Sequence, residues 1–212
     1  MTASRLLLAI AAMTAVVVAS NILVQYPFQG QIGPVDLAEI LTWGAFTYPI
    51  AFLVTDLTNR HFGAKKARIV VLAGFVIAVL MSILLATPRI AVASGTAFLM
   101  AQLLDVAIFD RLRRSVWWRA PLISSIIGSV LDTILFFGLA FSARFAVLDT
   151  GFGLEDSSLD FPVPLFGLGP DLPLWLSLGL GDLTVKLIVA LLVLVPYGAL
   201  LRLIPDRSAS LA

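Results

Sequence analysis

The chain has 212 residues, 60% of them hydrophobic and 13% charged, with a net charge of +1 and no cysteine. Its mean hydropathy of +1.03 and its charge content lie far from soluble proteins, in which roughly a quarter of residues are charged, so a soluble fold is excluded. Missing cysteines remove disulfides and thiol chemistry, the lone His61 argues against a histidine metal centre, and no basic arm or RNA-binding motif points to nucleic acid.

Six apolar stretches, near 6–24, 41–58, 69–87, 90–109, 121–143 and 173–201, are each long enough to cross about 30 Å of hydrocarbon as a helix. The first carries Arg5 and ends in Val18-Ala19-Ser20, as a signal peptide might be expected to, but its apolar run is longer than a signal core. It is read as an uncleaved first helix. The second contains Pro49, which removes a backbone donor and can kink a helix.

The connections set an orientation. Segment 59–68 carries Arg60, Lys65, Lys66 and Arg68, and segment 110–120 carries Arg111, Arg113, Arg114 and Arg119. With Arg5, Arg202 and Arg207, 11 of the 14 basic residues fall on one side, which the positive-inside rule makes cytoplasmic. Both termini are then inside. Loop 144–172, with Asp149, Glu155, Asp156, Asp160 and Asp171, lies outside, and its glycines and prolines predict an irregular excursion or a short interfacial helix. The expected fold is all-α: one integral domain over 1–212 with six transmembrane helices. Val54-Thr55-Asp56 weakly echoes Val130-Leu131-Asp132, as a three-plus-three inverted repeat would.

Ionisable groups inside these stretches carry the functional signal, because each costs roughly 2.5–3.5 kcal/mol at a helix centre even on lenient scales. Asp132 is the strongest. It sits mid-span, with Ser125, Gly128 and Ser129 on the same helix face, a small polar face suited to close packing or a hydrated cavity. Its bland reading is a protonated carboxyl bonding a neighbouring helix. Asp182 and Lys186 are four residues apart and can pair along one face; they are either a mutually neutralised packing pair or part of a site. Gln102 and Asp105 follow a small-residue run, Ala93 to Ala97, and Asp105 could instead pair with Arg113 or Arg114. Asp56 has the same ambiguity with Arg60. Asn21, near the outer end of the first span, adds an amide or simply ends a helix. Aromatic residues cluster at Trp43, Phe46 and Tyr48 and at Trp117-Trp118; the latter pair and Trp43 read as interface anchors, with Trp43 also placed to cap an outward opening. Carboxylates and amides together suit a neutral or cationic ligand with several N–H donors. A guanine-like edge is one such ligand, though the pattern does not single out a nucleobase.

Residues 43–63 (WGAFTYPIAFLVTDLTNRHFG), 93–121, 124–141 (SSIIGSVLDTILFFGLAF) and 182–187 (DLTVKL) resemble the signature of the queuosine precursor transporter family, also called the VUT family. The combination of D-L-T-x-R-x-F-G with A-Q-L-L-D-V and V-x-D-T carries the likeness, which runs from about Ser20 to Arg202. It implies a six-helix inner-membrane importer of 7-cyano-7-deazaguanine or 7-aminomethyl-7-deazaguanine, bases salvaged into the queuosine of tRNA. The positions carried over as substrate-binding are Asn21, Asp56, Arg60, Gln102, Asp105, Asp132, Asp182 and Lys186. No cofactor is implied. The expected partners are a nucleobase-like solute and membrane lipid, with oligomeric state open and a homodimer one option.

No G-x-x-x-x-G-K-[ST] motif is present, so ATP hydrolysis by this chain is not expected; proton coupling through an aspartate is compatible with the sequence. The rival readings are a substrate-binding subunit driven by a separate ATPase, a transporter of another vitamin-like solute, and an intramembrane enzyme. The last lacks any catalytic constellation in the sequence.

Overall fold

The computed structural model describes residues 3–203; Arg207 and the side chain of Arg202, both counted among the basic residues above, lie outside the described residues. Five helices are long and apolar enough to cross a membrane: α1 (Ala3–Leu23), α4 (Ala64–Leu85), α5 (Pro88–Leu112), α6 (Arg119–Phe141) and α8 (Leu174–Leu203). Their boundaries follow local chemistry. Gly63, at φ 79°, takes the left-handed region that glycine enters without a Cβ penalty and separates α4 from the preceding helix. The Thr87 side chain caps α5 by accepting from the Ile90 amide, with Pro88 in the first turn. α4 starts earlier than its apolar stretch and takes in Lys65, Lys66 and Arg68, since a helix continues past the hydrocarbon wherever long basic side chains can reach water.

The second expected span is corrected. Residues 41–58 do not form one helix: a single turn, α2 (Gly44–Thr47), precedes α3 (Ile50–Phe62). Pro49 lies between them, and the bonds across it are the tighter three-residue kind, Ala51 N–H to Tyr48 O at 3.0 Å and Phe52 N–H to Pro49 O at 3.1 Å. The 13 residues of α3 rise about 20 Å at 1.5 Å each, short of a full crossing. The break also orients Tyr48 toward α6.

α5 is the central helix, packed against α4 on one side and α6 on the other, while α1 packs on α4 and α8 on α6. Small residues permit this. Ala93, Ala97 and Ala101 of α5 are buried, and a Cβ on Gly128 of α6 would stand 2.8 Å from the Phe52 ring. In lipid, where the hydrophobic effect does not drive helices together, such close approach is what binds them. Met13, Val17, Val70, Val71, Phe98 and Val106 form the main apolar core. Leu80, Leu84, Leu192 and Val195 point outward and are more than half exposed, as lipid-facing side chains would be.

Two connections at one end of the bundle are structured. Between α1 and α2, β1 (Gln31–Ile32) pairs with β2 (Val35–Asp36) around Gly33 at φ 58°, a hairpin the sequence reading did not foresee. Loop 144–172 contains the one-turn helix α7 (Val147–Thr150) and a second hairpin of β3 (Pro162–Pro164) with β4 (Asp171–Pro173). Arg89 ties this loop to the bundle. It is fully buried and donates to Leu139 O, Ser142 O, Asp149 Oδ2, Asp156 Oδ1 and Ser158 Oγ.

Candidate functional site

Asp132 on α6, Asp182 and Lys186 on α8, and Tyr48 at the α2–α3 break meet in the bundle interior. The Lys186 ammonium bridges the two acids, at 2.6 Å from Asp132 Oδ2 and 2.5 Å from Asp182 Oδ2. The Tyr48 hydroxyl donates to Asp132 Oδ1 at 2.9 Å, and Thr133 Oγ1 donates to Asp182 Oδ2 at 3.2 Å. Lys186 Nζ also stands 5.3 Å from the centre of the Tyr48 ring. The four-residue spacing of Asp182 and Lys186 does pair them, but the lysine pairs as closely with Asp132 on another helix.

This network forms the floor of a cavity of about 440 Å³, within the size range of small-molecule sites. Its walls include Phe136, Phe137 and Phe141 of α6 and Leu178 of α8, with polar groups from Ser20, Asn21, Glu39, Ser82 and Ser94. Val24, Leu85, Ile90 and Phe141 carry it to the helix ends that bear the two hairpin loops. At that end Phe28, Trp43 and Phe46 stack edge-on and tilted with centroids 4.8–5.8 Å apart. Asn21 lies on the wall with its amide spoken for locally: Nδ2 donates to Val17 O at 2.9 Å and Oδ1 accepts from Ser82 at 3.4 Å.

Within the floor, the two acids differ in what they can offer. Both oxygens of Asp132 are engaged, and its side chain is 5% exposed. Both contacts to Asp182 fall on Oδ2, and its side chain is 14% exposed. Asp182 Oδ1 is the carboxylate oxygen with capacity for an incoming N–H donor.

The other predicted residues do not line this cavity. Gln102, Asp56 and Asp105 lie in a buried seam between α3 and α5, toward the opposite end. There the Thr55 hydroxyl donates to Gln102 Oε1 at 2.7 Å and Asn59 Nδ2 donates to Val106 O at 3.0 Å. Ser124 and Ser125 of α6 reach Asp56 at 3.5 Å. Among the described residues Asp56 makes no ion pair with Arg60, and Asp105 none with Arg113, which pairs with Asp110 instead. Arg60 closes the far end: it donates to the Tyr197 hydroxyl, Arg113 O and Trp117 O and lies 5.2 Å above the Phe109 ring. It joins α3, α5 and α8 and stands apart from the cavity.

Sequence reasoning noted Tyr48 only as a member of an aromatic cluster, and did not single out Ser82 or Arg89. A signal for Tyr48 was present, since a tyrosine just before a mid-span proline sits where the helix must open. Nothing in the pattern around Ser82 or Arg89 distinguished them.

Comparison with known proteins places this arrangement. Residues 42–200 match the family described as "Putative vitamin uptake transporter". The "Queuosine precursor transporter" of Escherichia coli (strain K12) is 33% identical over 216 residues, covering 92% of this chain and 85% of that protein. The "Probable queuosine precursor transporter" of Haemophilus influenzae is 33% identical over 217 residues, covering 89% and 83%. No solved structure gives a significant match. A polytopic helical bundle with a charged site inside it, matched along nearly its whole length, belongs to the vitamin uptake transporter family that includes the queuosine precursor transporters.

Proposed function

We propose that this protein is an inner-membrane importer of 7-deazaguanine queuosine precursors. The relatives' names supply the class of solute, and the cavity supplies the chemistry to hold it. The observation that carries the reading is the floor: a carboxylate oxygen of Asp182 with an open valence, beside an ammonium already neutralised by two acids. A deazaguanine presents a ring N–H and an exocyclic amine on one edge, and a carboxylate accepts such donors strongly. Lys186, beside that oxygen, is the donor for the carbonyl on the same edge, and Phe136 and Phe137 offer flat apolar surface to the bicyclic ring.

The protein works as one membrane domain over the whole chain, with α2 and α3 together supplying the sixth crossing. The segregation of basic residues sets both termini inside, so the cavity opens outward and the base enters beneath loop 144–172. No step involves bond chemistry on the solute.

Growth of a queuosine-deficient host on low external deazaguanine, followed by measurement of tRNA queuosine, tests this reading. Wild type restores the modification, and Asp182→Asn lowers uptake at least tenfold, the loss of one charge-assisted hydrogen bond of about 1.5–3 kcal/mol. Failure of wild type to rescue with any deazaguanine overturns the substrate assignment. Equal rescue by Asp182→Asn overturns the role of that carboxylate.

A further inference from the structure

The α3–α5 seam contains two carboxyls that the cavity does not use. Asp105 is fully buried and Asp56 is 2% exposed, and the bonds Thr55–Gln102 and Asn59–Val106 on either side set the two opposite one another across the seam. Among the described residues no lysine or arginine forms a salt bridge with either. Arg60, one turn from Asp56, directs its guanidinium at Tyr197, Arg113 O and Trp117 O. α6 presents the hydroxyls of Ser124 and Ser125, α8 presents the Tyr197 hydroxyl, and α4 packs Ala67 and Val70 into the apolar cluster around Val106. Two carboxylates in one water-poor site repel one another, and a proton shared between them relieves the repulsion.

A second observation separates this seam from ordinary packing. Buried polar groups in proteins are nearly always satisfied, yet here both oxygens of Asp105, Gln102 Nε2, Asn59 Oδ1 and Ser129 Oγ have no well-formed hydrogen bond. Gln102 is itself fully buried. Its amide meets the hydroxyl of Thr55, the neighbour of Asp56, at 2.7 Å, which places it in the same seam. These groups gather around the α3–α5 contact that Thr55–Gln102 and Asn59–Val106 hold together, and Ser129 adds an unbonded hydroxyl on α6, one turn from Asp132. Unsatisfied buried polar groups beside two carboxyls are what a site for an exchangeable proton requires.

We propose that Asp56 and Asp105 form the proton-binding site that couples solute import to the proton gradient, distinct from the cavity that holds the solute. The proton enters from the outer aqueous side, adds to the carboxyl pair as a single O–H bond, and leaves to the inner side as that bond breaks. Solute binding and proton binding then occupy different carboxylates, Asp182 above and Asp56–Asp105 below. This rests on the importer reading, and the test keeps the two apart.

The full-length protein is reconstituted in liposomes. Exchange of labelled 7-aminomethyl-7-deazaguanine across the bilayer at equal pH reports solute binding and turnover, and accumulation under an imposed inward proton gradient, with lumenal pH followed by a trapped dye, reports coupling. Wild type accumulates base and acidifies the lumen; Asp105→Asn retains exchange and loses accumulation and acidification at least tenfold, and Asp56→Asn behaves alike. Accumulation by Asp105→Asn at the wild-type level, or wild-type accumulation that follows sodium and not protons, overturns the proposal. Infrared spectra of the protein without solute give an independent decision. A protonated carboxylic acid band present in wild type at neutral pH and lost in Asp105→Asn supports the site, and its absence from wild type overturns it even if no exchange is seen. Absence of exchange by wild type counts against the importer reading alone.

Discussion

Replacing Lys186 by methionine tests whether the cavity floor is an ionised, mutually compensated network. Lys186 is 5% exposed and its ammonium is the partner of two carboxylates, at 2.6 Å and 2.5 Å, themselves 5% and 14% exposed. Removing one member of a buried pair costs about 3–5 kcal/mol, because the remaining charge is stranded. Here the loss strands two like charges, so the upper part of that range applies, softened slightly by the partial exposure of Asp182. For a protein of this length 1 kcal/mol moves the melting temperature by roughly 2–4 °C, so Lys186→Met is expected to melt on the order of 10–20 °C below wild type in detergent. Asp132→Asn/Lys186→Met removes one stranded carboxylate together with the lysine and recovers at least half of that loss. It does not recover uptake, because Lys186 lines the cavity. Melting followed by size-exclusion of the heated protein measures the stability, and labelled-base uptake measures the function. A Lys186→Met protein that melts within about 2 °C of wild type, or a double variant no more stable than the single, refutes the ionised network.

The clamp on loop 144–172 gives a pH prediction. Burial by itself would raise the Asp149 carboxyl, but the Ser157 amide, the Arg89 guanidinium and the Ser157 hydroxyl outweigh it and hold it below the ordinary range. Asp160 is held low chiefly by the Ala143 amide and then by the Trp175 indole. A carboxyl depressed by folding contributes stability in full above its unfolded value, near 3.9, and loses it as pH falls through the lower folded value. Limited proteolysis of the loop should therefore be slow at pH 6, accelerate below about pH 4, and be fast at both pH values in Arg89→Gln; a loop equally resistant in Arg89→Gln would count against the clamp. Gly44→Ala should cost about 1–3 kcal/mol by overpacking, since its Cβ would stand 2.9 Å from the Cα of Val24, where backbone cannot yield. Both residues line the cavity, so uptake should fall with melting temperature, and an unchanged melting curve would contradict the close approach.

Much of this protein was legible without coordinates, and the reason is solvent. A bilayer offers no hydrogen bonds, so hydropathy alone located five helices to within a few residues. It also flagged Asp56, Asp105, Asp132, Asp182 and Lys186, because an ionisable group inside a span is too costly to be incidental, but it passed over Arg89 and Asp149, which are buried as well. The second span failed because hydropathy is blind to backbone breaks: 41–58 reads as one apolar run around Asp56, but Pro49 divides it and turns Tyr48 onto Asp132. The two hairpins were missed for a related reason, since strands of two or three residues leave no periodic signal. Family resemblance named the solute class, which no count of charges could do.

Tertiary structure alone decided how the polar residues are partitioned. Asn21, Asp132, Asp182 and Lys186 converge on one cavity, while Asp56, Gln102 and Asp105 are gathered into a separate seam and Arg60 into a clamp at the far end. Spacing along a helix fixes which residues share a face, as it did for Asp182 and Lys186. It does not fix which neighbouring helix that face meets, because that depends on the shape of every small residue at the contact. The sequence determined that charges are kept inside the membrane; packing around Gly128, Ala97 and Ala101 determined which of them line the cavity and which face one another.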